Sequence, residues 1–191
     1  MFSDLITSKT RVKVLNLFLN QPHEMYHVRE CVRRTEEEIN AVRRELLLLE
    51  SRGILKKEPR ANRIYYSLSK DYPFYYDLLR IGAKTMGLGQ AMLANRAKLG
   101  KIKFAMFSGK FVRRTKESPE DVDLMVVGTI VLPELAILVR NEEMRLNTEI
   151  NYTAMTEEEF KFRKQRTDPF LVTILSGSRV MLIGDEEAML A

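Results

Sequence analysis

Two aspartates separated by one valine, Asp121 and Asp123, follow a glycine turn by twelve residues in FSGKFVRRTKESPEDVDLMVVG, residues 107–128. Two carboxylates on one face repel, and one of them resists ionisation, unless something positive lies between them. Alternate residues of a strand project to one side. With VDLMVV, 122–127, read as a buried strand, both aspartates would face a shared magnesium ion, of the kind that bridges nucleotide phosphates. The glycine turn would let backbone N–H groups approach those phosphates. The other possibility is local pairing with the cations Lys110, Arg113, Arg114 and Lys116, which would neutralise the pair.

The elements that would position this pair form a small α+β domain with a mixed sheet, residues 101–191. IKFAMF, 102–107, reads as a buried strand, and Ser108-Gly109-Lys110 turns out of it. Residues 132–144 read as a helix and 149–155 as a third strand. Thr156 with Glu159 is a capping box that opens another helix. Residues 168–176 are helical, and RVMLIG, 179–184, is a last strand.

This stretch resembles the minimal nucleotidyltransferase domain of the DNA polymerase β superfamily over roughly residues 101–185. The resemblance rests on strand, Ser108-Gly109, Arg113, Asp121-x-Asp123 and LMVVG in that order. It implies Asp121 and Asp123 as magnesium ligands and Glu149 as the third catalytic carboxylate, a set able to hold two metal ions. It also implies Ser108, Gly109, Lys110 and Arg113 around a nucleoside triphosphate. The chain departs from the family where Lys110 replaces the serine after the glycine and Arg114 a later glycine. Related domains with such departures have lost catalysis. The resemblance therefore implies either an inactive or nucleotide-sensing domain or a magnesium-dependent transfer of a nucleoside monophosphate to a protein or small molecule.

Charge points to a different partner for the first third of the chain. Residues 1–70 hold 14 Lys and Arg against 9 Asp and Glu, a surplus of five that equals the net charge of the whole 191-residue chain. A basic module joined to a neutral one suggests contact with a polyanion. Residues 8–20 place Val12, Leu15, Leu17 and Phe18 close to helical spacing. MYHVRECVRR, 25–34, reads as a short second helix. Thr35 with Glu38 reads as a capping box for a third, running to about Arg52 and stopped by Gly53. Its apolar face is Ile39, Val42, Leu46 and Leu49; its other face carries Glu37, Asn40 and Arg44, with Arg43 to one side. Two strands follow, ILKKEP and RIYYSL, joined by a tip that holds Arg60, Asn62 and Arg63.

Three helices and a basic hairpin make a winged helix-turn-helix, and the segment resembles the broad ArsR/MarR-like regulators in SKTRVKVL, VRRELLLLESRGIL and NRIYYSL. The resemblance implies binding of double-stranded DNA. Asn40, Arg43 and Arg44 would meet a major groove, and Arg60, Asn62 and Arg63 the backbone or minor groove. Residues 71–100 read as a linker with a helix over 74–98, suited to homodimerisation on a two-fold DNA site. The fold class is thus α+β: winged helix, linker helix and nucleotidyltransferase-like domain.

The rest of the sequence narrows the setting. The single cysteine, Cys31, excludes an internal disulfide, and His23 and His27 have no third residue to complete a convincing metal site. No apolar run approaches the roughly 20 residues of a membrane span. MFSDLITSKTR lacks the apolar core of a signal peptide. These features suit a cytoplasmic protein.

Overall fold

The structure is a computed structural model that describes residues 6–115, 118 and 120–191; Lys116 lies outside the described residues. The fold is mixed α+β, and the chain divides into two compact units, Met1–Thr85 and Met86–Ala191.

In the first unit, Ser8 caps helix α1, Lys9–Asn20, by accepting the Arg11 N–H at its hydroxyl. Val14, Leu15, Phe18 and Leu19 form its buried stripe. The segment expected to be a second helix is split. Met25–His27 is a strand, β1, and helix α2 runs Val28–Thr35. Tertiary pairing overrides helical spacing here: β1 lies antiparallel to a later strand, with Tyr26 opposite Tyr66 and its ring edge-on to Phe18 at 5.4 Å. His27 then caps α2, its Nδ1 accepting the Glu30 N–H.

Thr35 does not open the third helix. It closes α2, donating its hydroxyl to the Cys31 carbonyl at 2.7 Å, and Glu36 follows in the left-handed region at φ 55°. Glu38 caps α3, Ile39–Ser51, by accepting the Asn40 and Ala41 N–H groups at 2.8 and 2.9 Å. A carboxylate suits a helix N-terminus better than a hydroxyl does, because the helix dipole favours negative charge there. Val42, Leu46 and Leu49 of α3 are buried, as the spacing predicts.

The hairpin comprises β2, Leu55–Arg60, and β3, Arg63–Leu68, in a three-stranded antiparallel sheet of order β1-β3-β2. Strand β2 forms one edge of this sheet and is exposed beyond Leu55. Helix α4, Tyr75–Thr85, packs on α1 and buries Tyr75 and Leu79. The single linker helix expected over 74–98 is two helices. Met86 is extended, Gly87 takes φ 52°, and α5, Gly87–Ala94, belongs to the second unit. The chain breaks where glycine supplies a conformation that other residues adopt reluctantly.

The second unit is built on a four-stranded mixed sheet of order β6-β5-β4-β7: β4, Gly100–Ser108; β5, Leu124–Ile130; β6, Tyr152–Met155; and β7, Arg179–Ile183. Strand β4 runs antiparallel to β5 and β7, and β5 runs parallel to β6. Helices α6, Gly109–Arg113, and α7, Leu132–Leu146, follow β4 and β5, and α5 packs on α7. Helices α8, Glu157–Gln165, α9, Pro169–Ser176, and α10, Glu186–Leu190, complete the unit. One core cluster joins Phe104, Met106, Met125 and Val127 of the central strands to Met155, Phe160, Leu171 and Met189. Thr156 caps α8 as the sequence predicts, accepting the Glu159 N–H. Among the described residues no helix is long and apolar enough to cross a membrane.

The β4–β5 ladder shifts register between Ile102 and Phe104, opposite Gly128 at φ 146°. A Cβ on residue 128 would overlap the Lys101 carbonyl oxygen and lie 3.0 Å from the Ile102 Cα, both backbone atoms that cannot swing aside. Gly128→Ala is therefore expected to destabilise the second unit by about 3 kcal/mol. Urea unfolding followed by a reporter in that unit checks it; a loss within error of zero would contradict the assigned backbone.

Candidate functional site

Two surfaces gather the residues that the sequence marks out, one in each unit.

In the second unit, β4 ends at Ser108, whose hydroxyl caps the short helix α6 by accepting the Phe111 N–H at 3.1 Å. Gly109 is required by close approach. Its N–H donates to the Ser178 carbonyl at 2.6 Å, and a Cβ there would overlap the Ser178 hydroxyl. Arg113 reaches back across the turn and donates from Nη1 to that same hydroxyl at 3.0 Å. Beside this turn lies a cleft of about 380 Å³, lined by Ser108, Gly109, Lys110, Arg113 and Asp121, with Phe170 of α9 on its wall. The sequence thus identifies one wall of the cleft. It misses Phe170 and Ser178, which come from a distant segment with no motif of its own.

Neither aspartate lies on the strand. Strand β5 starts at Leu124, so the alternation that would aim both carboxylates to one side does not apply. Asp121 sits in a bend, its carboxylate accepting the Ser118 N–H at 3.2 Å with Lys110 Nζ also at 3.2 Å. Asp123 is 1% exposed. Its Oδ2 accepts the Asn151 N–H at 2.9 Å, and its own N–H donates to the Asn151 carbonyl at 2.8 Å. Glu149 is exposed, in the segment before β6. Among the described residues no three His, Cys, Asp or Glu side chains gather so as to hold a metal ion. Asp121 therefore joins the cleft, Asp123 lies in the protein interior, and Glu149 joins neither in such a group.

The cations divide between the carboxylates. Lys110 is on Asp121. Arg114 closes α6 in the left-handed region, its guanidinium over the Phe111 ring at 4.8 Å. Burial pulls the pKa of Arg114 below the ordinary arginine value; Glu142 and Asp123 push it up, and Arg145 down. An arginine stays charged regardless, so Arg114 brings a positive charge within electrostatic reach of buried Asp123. Glu142, itself buried, is held by two hydrogen bonds from Arg145, at 2.7 and 2.8 Å.

In the first unit, Asn40, Arg43 and Arg44 are all exposed on α3. Two of the acids that flank them turn to α1, while Glu38 stays at the helix N-terminus as its cap. Glu37 precedes the helix and turns back to α1, accepting from Thr10 at 3.0 Å and pairing with Lys13 at 2.7 Å. Glu45 turns to α1 as well, with Arg11 at 2.7 Å and the Ser8 hydroxyl at 2.7 Å. These bonds hold the Glu37 carboxyl below its ordinary pKa, Lys13 first and Thr10 second, and the Asn40 and Ala41 N–H groups do the same for Glu38. Leu47, two turns beyond Asn40, is 53% exposed among these polar residues, a position that its helical spacing signals but its apolar character conceals.

At the hairpin tip, Arg60 stands opposite Arg63 in the ladder, and Ala61 and Asn62 make the turn. Arg60 is paired with Glu58 at 2.8 Å. Lys57, on the same strand, pairs with Glu50 at 3.0 Å. Cys31 is fully buried, and burial pushes its thiol up to about 12, which makes it an inert part of the core.

No protein-family model, curated protein or solved structure matches the chain.

The two aspartates are expected to behave differently on truncation. Asp123→Ala removes a buried acceptor and leaves the Asn151 N–H without it, a loss of about 2 to 3 kcal/mol. Asp121→Ala removes a part-exposed ion pair and should cost about 0 to 1 kcal/mol. Chemical denaturation of both variants checks this, and equal losses would overturn the structural role given to Asp123.

Proposed function

We propose that the protein is a DNA-binding transcriptional regulator whose first unit is a winged helix-turn-helix and whose second unit is a nucleotidyltransferase-like domain without catalytic turnover. The observation that carries the first half is the sorting of charge around α3. Glu37, just before α3, and Glu45, on it, are committed to α1, while Asn40, Arg43 and Arg44 face solvent. A polyanion approaching that face meets Arg43, Arg44 and an amide, with one exposed carboxylate, Glu38, occupied by the helix N–H groups that it caps. The order of three helices and a three-stranded sheet ending in a basic hairpin supports the same reading.

On this reading α3 enters the major groove. Asn40 suits adenine, Arg43 and Arg44 suit guanine or phosphate, and Leu47 suits a thymine methyl group. Arg60, Asn62 and Arg63 track the adjacent backbone or minor groove. The protein acts as a homodimer, because a two-fold operator requires two copies of the reading helix.

Duplexes selected from a random pool supply the test. Arg44→Ala should weaken specific binding by about 10- to 100-fold, the value of one good base contact. The Arg60→Ala, Arg63→Ala double variant should lower the slope of log K against log salt by about two. Asp121→Ala should leave both unchanged. Unaltered retardation in Arg44→Ala and in the wing variant would overturn the groove assignment. Absence of salt-dependent binding in the wild type would overturn DNA binding itself.

For the second unit, the positions of Lys110 on Asp121, Asp123 in the interior and Glu149 apart from both support nucleotide binding without transfer. With magnesium and labelled ATP, GTP, CTP or UTP, retention that falls in Lys110→Ala and Arg113→Ala, without covalent labelling of any acceptor, is the expected result. Metal-dependent labelling lost in Asp121→Asn, Asp123→Asn would establish the enzyme instead.

A further inference from the structure

A second cavity in the C-terminal unit, of about 450 Å³, is used by none of the chemistry above. It lies between β4, β5, α8 and α10. Its apolar wall is Phe104, Val127, Phe160 and Met189, all part of the core cluster. Its polar rim is cationic: Lys103, Lys161 and Lys164 stand there with one acid, Glu157. We propose that this cavity binds a small organic anion with an apolar body, an alkyl or aryl carboxylate, with the body on the aromatic and methionine wall and the head at the lysines.

Three features support that class of ligand. The volume falls within the roughly 300–1,000 Å³ of small-molecule sites, which are mostly apolar with a few placed polar groups. The lysines come from two directions. Lys161 and Lys164 are three apart on α8, so they share a face, and Lys103 comes from β4. Lys103 Nζ is 2.9 Å from Glu157 Oε2, and Lys164 Nζ donates to the Met189 carbonyl at 3.0 Å. Each ammonium has three donors, so both retain hydrogen-bonding capacity for a carboxylate. Among the side chains that line the cavity three cations stand against one acid, so they favour an anion over a cationic head.

The core behind the wall is also adaptable. Met189 lines the cavity; behind it Met106, Met125 and Met155 belong to the same core cluster, with Met181 packed against it. These are five of the ten methionines in the chain. Methionine's flexible thioether fills irregular space and rearranges around different shapes. The Lys164 bond to the Met189 carbonyl fixes α10 over the cavity, so Met189 reports directly on its filling.

Octanoate is the probe, with octanamide as its uncharged counterpart. Methyl NMR of the full chain would follow Met189, Val127 and Ala188, with Val42 of the first unit as control. Octanoate should shift the first three saturably and leave Val42 unmoved. Octanamide should bind at least about tenfold more weakly, since it lacks the charge-assisted hydrogen bonds. Lys161→Ala, an exposed change that leaves the core intact, should weaken octanoate and not octanamide. The absence of saturable shifts at these methyls would overturn the proposal, as would equal affinity for acid and amide or an unchanged octanoate affinity in Lys161→Ala.

Discussion

One buried residue, Asp123, ties the ends of three strands together, through its backbone to β4 and through both backbone and carboxylate to the segment before β6. The Ser108 N–H, at the end of β4, donates to the Asp123 carbonyl. Asp123, just before β5, exchanges backbone and side-chain bonds with Asn151, just before β6. Asn151 in turn donates from its side-chain amide to the Asp121 carbonyl. A charge removed from water is stable only when its hydrogen bonds are met and a countercharge is near. Asn151 supplies a donor and Arg114 the neighbouring positive charge. Because the same strand ends carry Ser108 and Gly109, the shape of the cleft depends on this arrangement. An aspartate that holds the turn in place from the interior plays a different part from one that presents its oxygens to a ligand.

The first unit solves an opposite electrostatic problem. It carries the whole net positive charge of the chain, and like charges on a small surface repel. The fold offsets this by pairing cations of α1 with Glu37 and Glu45 and by setting the Glu38 cap near Arg43 and Arg44. The hairpin cations are more restrained, since Arg60 and Lys57 have acidic neighbours at Glu58 and Glu50. Exposed pairs of this kind hold a side chain in position at little energetic gain.

Much of this was legible in the sequence, for reasons that differ by element. Helix α3 is readable because Val42, Leu46 and Leu49 repeat at helical spacing, and α8 because Thr156 stands at the cap, where its hydroxyl accepts the Glu159 N–H. Strand β1 was not, since Met25–His27 becomes a strand only by pairing with a segment some forty residues away. The third helix was found, but its cap was misassigned: Thr35 and Glu38 have the right spacing for a capping box, yet Glu38 alone caps α3. The aspartates show where motif reading stops. Their spacing was plain, but whether they lie on the strand or before it depends on Asn151, which no local pattern links to them. The spacing over 74–98 predicts one helix, because only the backbone reveals that the chain breaks at Gly87.

The edge strand β2 of the first unit has a consequence for the protein's behaviour in concentrated solution. An edge strand exposes unpaired backbone donors and acceptors to any other strand that comes alongside. Strand β2 carries Lys56, Lys57, Pro59 and Arg60 along its exposed length. Proline contributes no N–H, and the cations repel an identical neighbour. The residues that give the hairpin its charge therefore also guard its edge against aggregation through added strands. Replacing them with neutral β-forming residues would remove both properties at once.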